Sequence, residues 1–255
     1  PQLAQPLTIL ASASGNRTAK FGTDPLPEQM RLGRRMFHWT GNPKLSKSGR
    51  FACASCHFEG SEDKQVWHIA DGPRQTPALA GRVNGTGPFN WMGTEHALQS
   101  NMDKTIERMG GKGLSKTELV ALEQFMINGL HEPPNPNVKA SGLTADQKAG
   151  RTLFFDSKVA CANCHSGADT TDGKLWDVQT ATPLERQIAQ VRHNTKTVRF
   201  NTPSLRGVWA SGPYLHDGKA ATLMDVLNIT AGNMGDVRDL NNKQKKQLIA
   251  YIQTL

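Results

Sequence analysis

All four cysteines of this 255-residue chain fall within two copies of one pattern, Cys-x-x-Cys-His: CASCH from Cys53 to His57 and CANCH from Cys161 to His165. Two thiols at this spacing add across the vinyl groups of a porphyrin, while the adjacent imidazole, held by the same short loop, reaches the iron from one face. The pattern implies two covalently attached haems c, anchored by Cys53, Cys56, Cys161 and Cys164, with His57 and His165 as proximal ligands. Other uses of paired cysteines fit less well. A zinc site would need the four cysteines to converge from distant parts of the sequence and would leave both histidines unexplained. Thioredoxin-type redox centres do not call for the histidine either. Disulfide frameworks serve small secreted domains, and a chain of this length buries a core without them.

Composition sets the class. With 37% hydrophobic and 20% charged residues and no apolar run near the ~20 residues a membrane span needs, the chain reads as a soluble globular protein with no membrane span. Its N-terminus, PQLAQPLTILASASGN, lacks a basic region and a long apolar core, so it does not read as a secretory signal. The start at Pro1 points to processing or excision. The formal charge of +8 would be offset in part by four haem propionates. Lys243, Lys245 and Lys246, on an expected C-terminal helix, read as a solvated face. No basic patch with a recognisable module indicates nucleic-acid binding.

The chain repeats itself. LGRRMFHW (Leu32 to Trp39) precedes the first haem motif and AGRTLFFD (Ala149 to Asp156) the second, each an apolar-rich helical stretch. TPALAG (Thr76 to Gly81) follows the first motif and TPSLRG (Thr202 to Gly207) the second. GPFNWMG (Gly87 to Gly93) answers GPYLHDG (Gly212 to Gly218), and Met109-Gly110 answers Met234-Gly235, at a constant offset of 125 from Gly87 to Met109. The closing stretches LSKTELVALEQFM and LNNKQKKQLIAYI carry apolar residues at helical spacing. Few segments alternate as strands do. The expected fold is therefore all-α, two tandem cytochrome c-like haem domains related by internal duplication.

The prolines and glycine of HEPPNPNVKASG (His131 to Gly142) cannot continue a helix and mark a boundary. The reading is an N-terminal extension at 1–26, a first domain at 27–130, a linker at 131–143 and a second domain at 144–255. The halves differ in one place: 23 residues separate Cys53 from Thr76, but 41 separate Cys161 from Thr202. The added residues are expected to form a long loop, or a loop plus helix, covering the second haem or the domain interface, or to be surface decoration.

Tandem haem motifs, each followed by Thr-Pro-x-Leu-x-Gly, a Gly-Pro-aromatic segment and Met-Gly, resemble the bacterial diheme cytochrome c peroxidase family, which includes the diheme enzymes that mature methylamine dehydrogenase. The likeness covers about residues 27–255, and GPYLHDGKAATL is its most specific stretch. The first half, with GPRQTPALAG and FNWMG, looks most like members fused behind a β-propeller.

The resemblance implies a division of labour. The second haem, with His165 and Met234 as axial ligands, would take electrons from a small cytochrome c or cupredoxin, since thioether ligation raises the haem potential. The first haem, on His57, would bind peroxide or another oxidant. Its far face has two candidates, Met109 by the internal repeat and His68 by its place 23 residues before Trp91; a firm Met109 makes an electron carrier, whereas His68 or an open site leaves the iron reactive. Peroxide cleavage needs a proton shuttle. Family members place a glutamate immediately before Met-Gly, where this chain has Arg108, so Glu107, Glu95 and Gln75 are the candidates. Trp91 would lie between the haems as an electron or radical relay, against packing as the alternative. His216, its counterpart in the second half, would hydrogen-bond a haem propionate or the interface. A calcium ion between the domains, near Gln75 and the Gly-Pro segment, is a further implication. The resemblance also implies a periplasmic location and, as a second function, a diheme electron-transfer module with both irons closed by methionine within a larger redox assembly or fused protein.

Overall fold

The computed structural model describes residues 24–255 in full and the strand backbone of 7–11 and 15–19. Half of the expected 1–26 extension therefore lies outside the described residues; within it, β1 (Leu7–Ala11) pairs antiparallel with β2 (Gly15–Ala19). In chain order there follow α1 (Glu28–His38), α2 (Cys53–Cys56), β3 (Val66–Ile69), β4 (Gly72–Gln75), α3 (Leu98–Arg108), α4 (Lys116–Asn128), α5 (Ala145–Phe154), β5 (Leu175–Trp176), α6 (Pro183–His193), β6 (Phe200–Asn201), α7 (Leu223–Ile229) and α8 (Asn242–Ile252).

The fold is mostly helical, but the all-α expectation needs correction, because among the described residues there are three two-stranded antiparallel sheets: β1–β2, β3–β4 and β5–β6. The last two are too short to show as period-two patterns in the sequence, and each forms where the chain returns from a haem motif to its Thr-Pro pair.

Two apolar clusters hold the helices. The first packs Met36 and Phe37 of α1 with Leu98 and Met102 of α3 and Leu122 and Phe125 of α4. The second packs Phe154 of α5 with Leu223 and Leu227 of α7 and Leu248, Tyr251 and Ile252 of α8. In each, the helix before the haem motif crosses the closing helix at a glycine. A side chain on Gly33 would overlap the Ala121 carbonyl of α4, and one on Gly150 would overlap the Gln247 carbonyl of α8. The glycines in LGRR and AGRT are what let these backbones touch.

Capping fixes where helices begin. Ser115, Thr144, Thr182, Thr222 and Asn241 each accept from the backbone N–H three residues on, a contact worth about 1 kcal/mol. The 131–143 segment is tied down by side chains: Asn135 Nδ2 donates to the Gln253 carbonyl at 2.9 Å and Gln147 Nε2 donates to the Asn137 carbonyl at 2.9 Å.

The added residues of the second half occupy one spot. β3 turns into β4 through Ala70 and Asp71 alone, whereas residues 177–199 intervene between β5 and β6 and carry α6. This extended tip reaches β4 of the first half, so it covers the interface.

Candidate haem and electron-transfer site

The first motif is a short helix, α2, at whose start the Ser55 hydroxyl accepts from the Ala52 N–H at 3.1 Å. The second forms a 3₁₀ turn, Cys161–Asn163. None of the four cysteines is in a disulfide, and among the described residues no three His, Cys, Asp or Glu side chains converge as a metal cluster would need. Burial pushes the Cys53 thiol up to about 12 and Cys161 up to about 11, the mark of sulfurs enclosed in an apolar setting.

Each motif histidine is gripped from behind. Burial pushes the His57 imidazole down to about 4, opposed by Asp63 and by the carbonyls of Pro77 and Ser61; burial also lowers His165, opposed by Thr170, Asp172 and Pro203. The His165 Nδ1 lies 3.2 Å from the Thr170 carbonyl, which leaves Nε2 free. Pro77 and Pro203 are the prolines of the two Thr-Pro pairs, which gives that repeat a physical role beside the ligand ring. His57 Nδ1 is fully enclosed without a hydrogen-bond partner. Neutral imidazoles, adjacent thiols and an orphaned ring nitrogen in a closed setting are what a covalently held haem requires, so the residues present fit the group.

Beside each motif stands an aspartate–tryptophan pair that sequence reading passed over. Trp67 Nε1 donates to Asp63 at 2.9 Å and Trp176 Nε1 donates to Asp172 at 3.0 Å. After burial, the nearby Asp63 also raises Cys56 and Asp172 also raises Cys164. The signal was in plain view, since Asp-x-x-x-Trp follows both motifs.

The halves meet through reciprocal contacts. Gln75, just before the first Thr-Pro pair, donates its backbone N–H to the His216 carbonyl at 2.7 Å; Asn201, just before the second, donates to the Trp91 carbonyl at 2.9 Å. Val66 of β3 packs on Gly218, and Leu175 of β5 packs on Gly93. Trp91 Nε1 donates to the Gln75 carbonyl at 2.8 Å, and its indole stands edge-on to His216 with ring centres 6.4 Å apart. His216 is fully buried, stacked on Phe200 at 3.9 Å, with Nε2 3.0 Å from Glu185 of α6. Glu185 also pairs with Arg74 of β4.

The structure thus brings together Gln75, Trp91 and His216. It does not bring Glu107 to them: that carboxylate points to solvent on α3 and pairs with Lys104 at 3.2 Å. The Gln75 N–H is taken by the His216 carbonyl, and its own carbonyl accepts from Trp91. Met234 lies in a loop folded onto the second motif, where Asp236 N donates to the Val159 carbonyl at 3.0 Å and Gly235 backs onto Val159 and Cys161. Met109 caps α3 and its carbonyl accepts from Lys47 N at 3.1 Å. His68 is exposed on β3, opposite Pro73. It shares a strand face with Val66, the residue that packs on Gly218 of the second half.

Comparison with known proteins agrees with this geometry. The family described as di-haem cytochrome c peroxidase matches residues 27–126, and a RoxA-like, cytochrome c-like family matches residues 200–232. Hydrazine synthase subunit gamma of Kuenenia stuttgartiensis is 28% identical, with 89% of this chain aligned to 78% of that protein. The methylamine utilization protein MauG of Methylorubrum extorquens is 27% identical, over 90% of this chain and 78% of its own length. Among solved structures, that of Kuenenia stuttgartiensis hydrazine synthase superposes with a TM-score of 0.75 at 25% identity, covering 98% of this chain and 100% of the other. A MauG-like protein associated with microbial copper homeostasis shares the fold, with a TM-score of 0.68 at 20% identity and 91% and 90% coverage. Among the described residues, no helix is long and apolar enough to cross a membrane.

Proposed function

We propose that the chain, which is similar to the di-haem cytochrome c peroxidase family over residues 27–126 and to MauG over most of its length, is a periplasmic diheme oxidoreductase of the peroxidase type, receiving electrons in its second half and using them in its first. When bound, the two haems c supply one-electron storage and an iron at which an oxidant such as peroxide is reduced. The chain's own residues do the rest. Cys53 and Cys56, and Cys161 and Cys164, would anchor the groups; His57 and His165, each buried beside the proline of a Thr-Pro pair, would present one nitrogen each; Met234 would close the second site. We propose that 27–130 and 144–255 are separate haem-binding domains related by duplication, and that a small cytochrome c or cupredoxin serves as the electron donor.

One observation carries this reading: the two segments that orient the ligand histidines are stitched to each other across the interface by Trp91 and His216. Trp91 donates its indole proton to a backbone carbonyl, which cannot take that proton away, so a transiently oxidised Trp91 keeps it. For the first iron we favour an open or His68-held far face over Met109, because the peroxidase reading needs an exchangeable position. The test is the spectrum of the half-reduced protein. A high-spin first haem that reacts with added peroxide supports the reading, and two low-spin haems indifferent to peroxide overturn it.

A second reading has specific support. Glu107 faces solvent and Arg108 stands immediately before Met109, so no carboxylate from this turn is poised to move a proton at the first site. A relative similar over most of the chain is a subunit of a synthase. On this reading the chain relays electrons inside a larger redox assembly, and indifference to peroxide is its signature.

A further inference from the structure

Glu185 occupies the third position of α6, where it completes a cap: it accepts from Thr182 N at 2.7 Å and Thr182 Oγ1 at 2.9 Å, and returns its own N–H to that hydroxyl at 3.2 Å. A glutamate in this role works well in water. Here the side chain is 1% exposed, and burying a carboxylate is costly unless its lone pairs are filled. The remaining acceptor capacity goes across the interface, to Arg74 of β4 and to His216 Nε2 at 3.0 Å. Capping alone does not call for this burial.

Arg74 balances the charge of Glu185, and His216 turns its Nε2 toward that carboxylate, with its Nδ1 3.5 Å from the Thr180 hydroxyl. Asp217, 3.9 Å from Nε2, is itself paired with Lys219 at 3.2 Å. The ring so held fills the space between Trp91 and Phe200. Trp91 leads back through the Gln75 carbonyl to the Pro77 segment behind His57; Phe200 leads through Asn201 and Thr202 to Pro203 behind His165.

We propose that Glu185 is a positioning residue for electron passage between the two halves. Held by Arg74 and Thr182, it locks His216 in the orientation that keeps the contact from Trp91 through His216 to Phe200 unbroken. The inference rests on the diheme reading above. One electron moves along the contact, no bond is made or broken, and Glu185 retains its charge throughout. The two-residue turn of the β3–β4 hairpin has no equivalent, so the extended β5–β6 tip exists to deliver this carboxylate.

The experiment is intramolecular electron transfer in the holoprotein after rapid photoreduction, with both midpoint potentials recorded. Glu185→Gln, folded by its thermal melt, is expected to slow transfer between the haems at least tenfold. Glu185→Asp keeps the charge and the Arg74 pair but draws the carboxylate back from His216; it is expected to slow transfer at least threefold at unchanged potentials, which a purely structural role would not do. Rates within twofold of wild type in either folded variant overturn the inference, and if the Gln variant does not fold the Asp variant decides. Trp91→Phe separates the layers: a slowed Trp91→Phe beside normal Glu185 variants sinks the Glu185 role alone. A wild-type protein whose haems exchange no electrons sinks the diheme reading itself.

Discussion

Asn201 donates its backbone N–H to the carbonyl of Trp91 at 2.9 Å. The bond joins the strand that precedes the second Thr-Pro pair to the aromatic segment of the other half, and its mirror runs from Gln75 to His216 at 2.7 Å. Backbone bonds in a buried interface are costly to leave unmade. The pair therefore fixes the register in which the halves meet, and with it the separation of the two motif histidines, His57 and His165.

Helix crossing at glycine sets the first expectation. Gly33→Ala and Gly150→Ala each force a methyl into a facing backbone carbonyl; overpacking typically costs about 1–3 kcal/mol, and a rigid backbone neighbour places these at the upper end. Thermal or denaturant melts of the holoprotein should show losses of that size. Gly85→Ala meets nothing within 4 Å and carries only the strain of its left-handed backbone (φ 72°), about 1–2 kcal/mol; it should cost less than either crossing, and equal effects would show that the crossings are not tight.

The buried Glu185 makes stability acid-sensitive. Burial alone would raise this carboxyl, but hydrogen bonds from His216 and Thr182 outweigh it and hold it at about 2, below the ordinary 4.5. A depressed carboxyl contributes stability above its unfolded value and loses it as pH falls from about 4.5 toward 2. The amount is about 3 kcal/mol. Denaturant titrations should show a wild-type advantage over Glu185→Gln at pH 6 that largely vanishes by pH 2.5. Arg74→Ala should cost about 3–5 kcal/mol near neutrality, because it strands the Glu185 charge.

Attachment is separable by half. Replacing Cys53 and Cys56 with alanine should leave a protein one haem lighter by intact mass, with the spectrum of the second haem retained; the same change at Cys161 and Cys164 should retain the first. Loss of both haems from either pair would show that the halves do not load independently.

Axial ligation can be read from spin state. Met234→Leu should convert the second haem away from low-spin thioether ligation, whereas Met109→Leu should leave the first haem's ferric spectrum unchanged. A spin change in Met109→Leu would assign that methionine to the iron and favour the electron-carrier reading. His68→Ala then asks whether the remaining position is closed or open.

Some of this protein was fixed by local chemistry and is legible residue by residue. Cys-x-x-Cys-His places thiols and imidazole within one turn, so the haem sites needed no fold to be seen. Apolar spacing and capping residues such as Ser115 and Asn241 set α4 and α8 almost where the closing stretches were read. The repeated Thr-Pro, Gly-Pro and Met-Gly pairs pointed to matching halves, and Asp63 with Trp67 was equally visible but overlooked. What only the tertiary structure decided are relations between residues far apart in the chain. Short strand pairs such as β5–β6 exist because residues far apart in the chain are brought side by side, not because two residues favour extension. Glu185 reads as an ordinary helix cap until α6 is carried across the interface to Arg74, 111 positions away, and Glu107 reads as a shuttle until the helix turns it to solvent. Burial and partner choice are set by the summed packing of the whole chain, which no local pattern encodes.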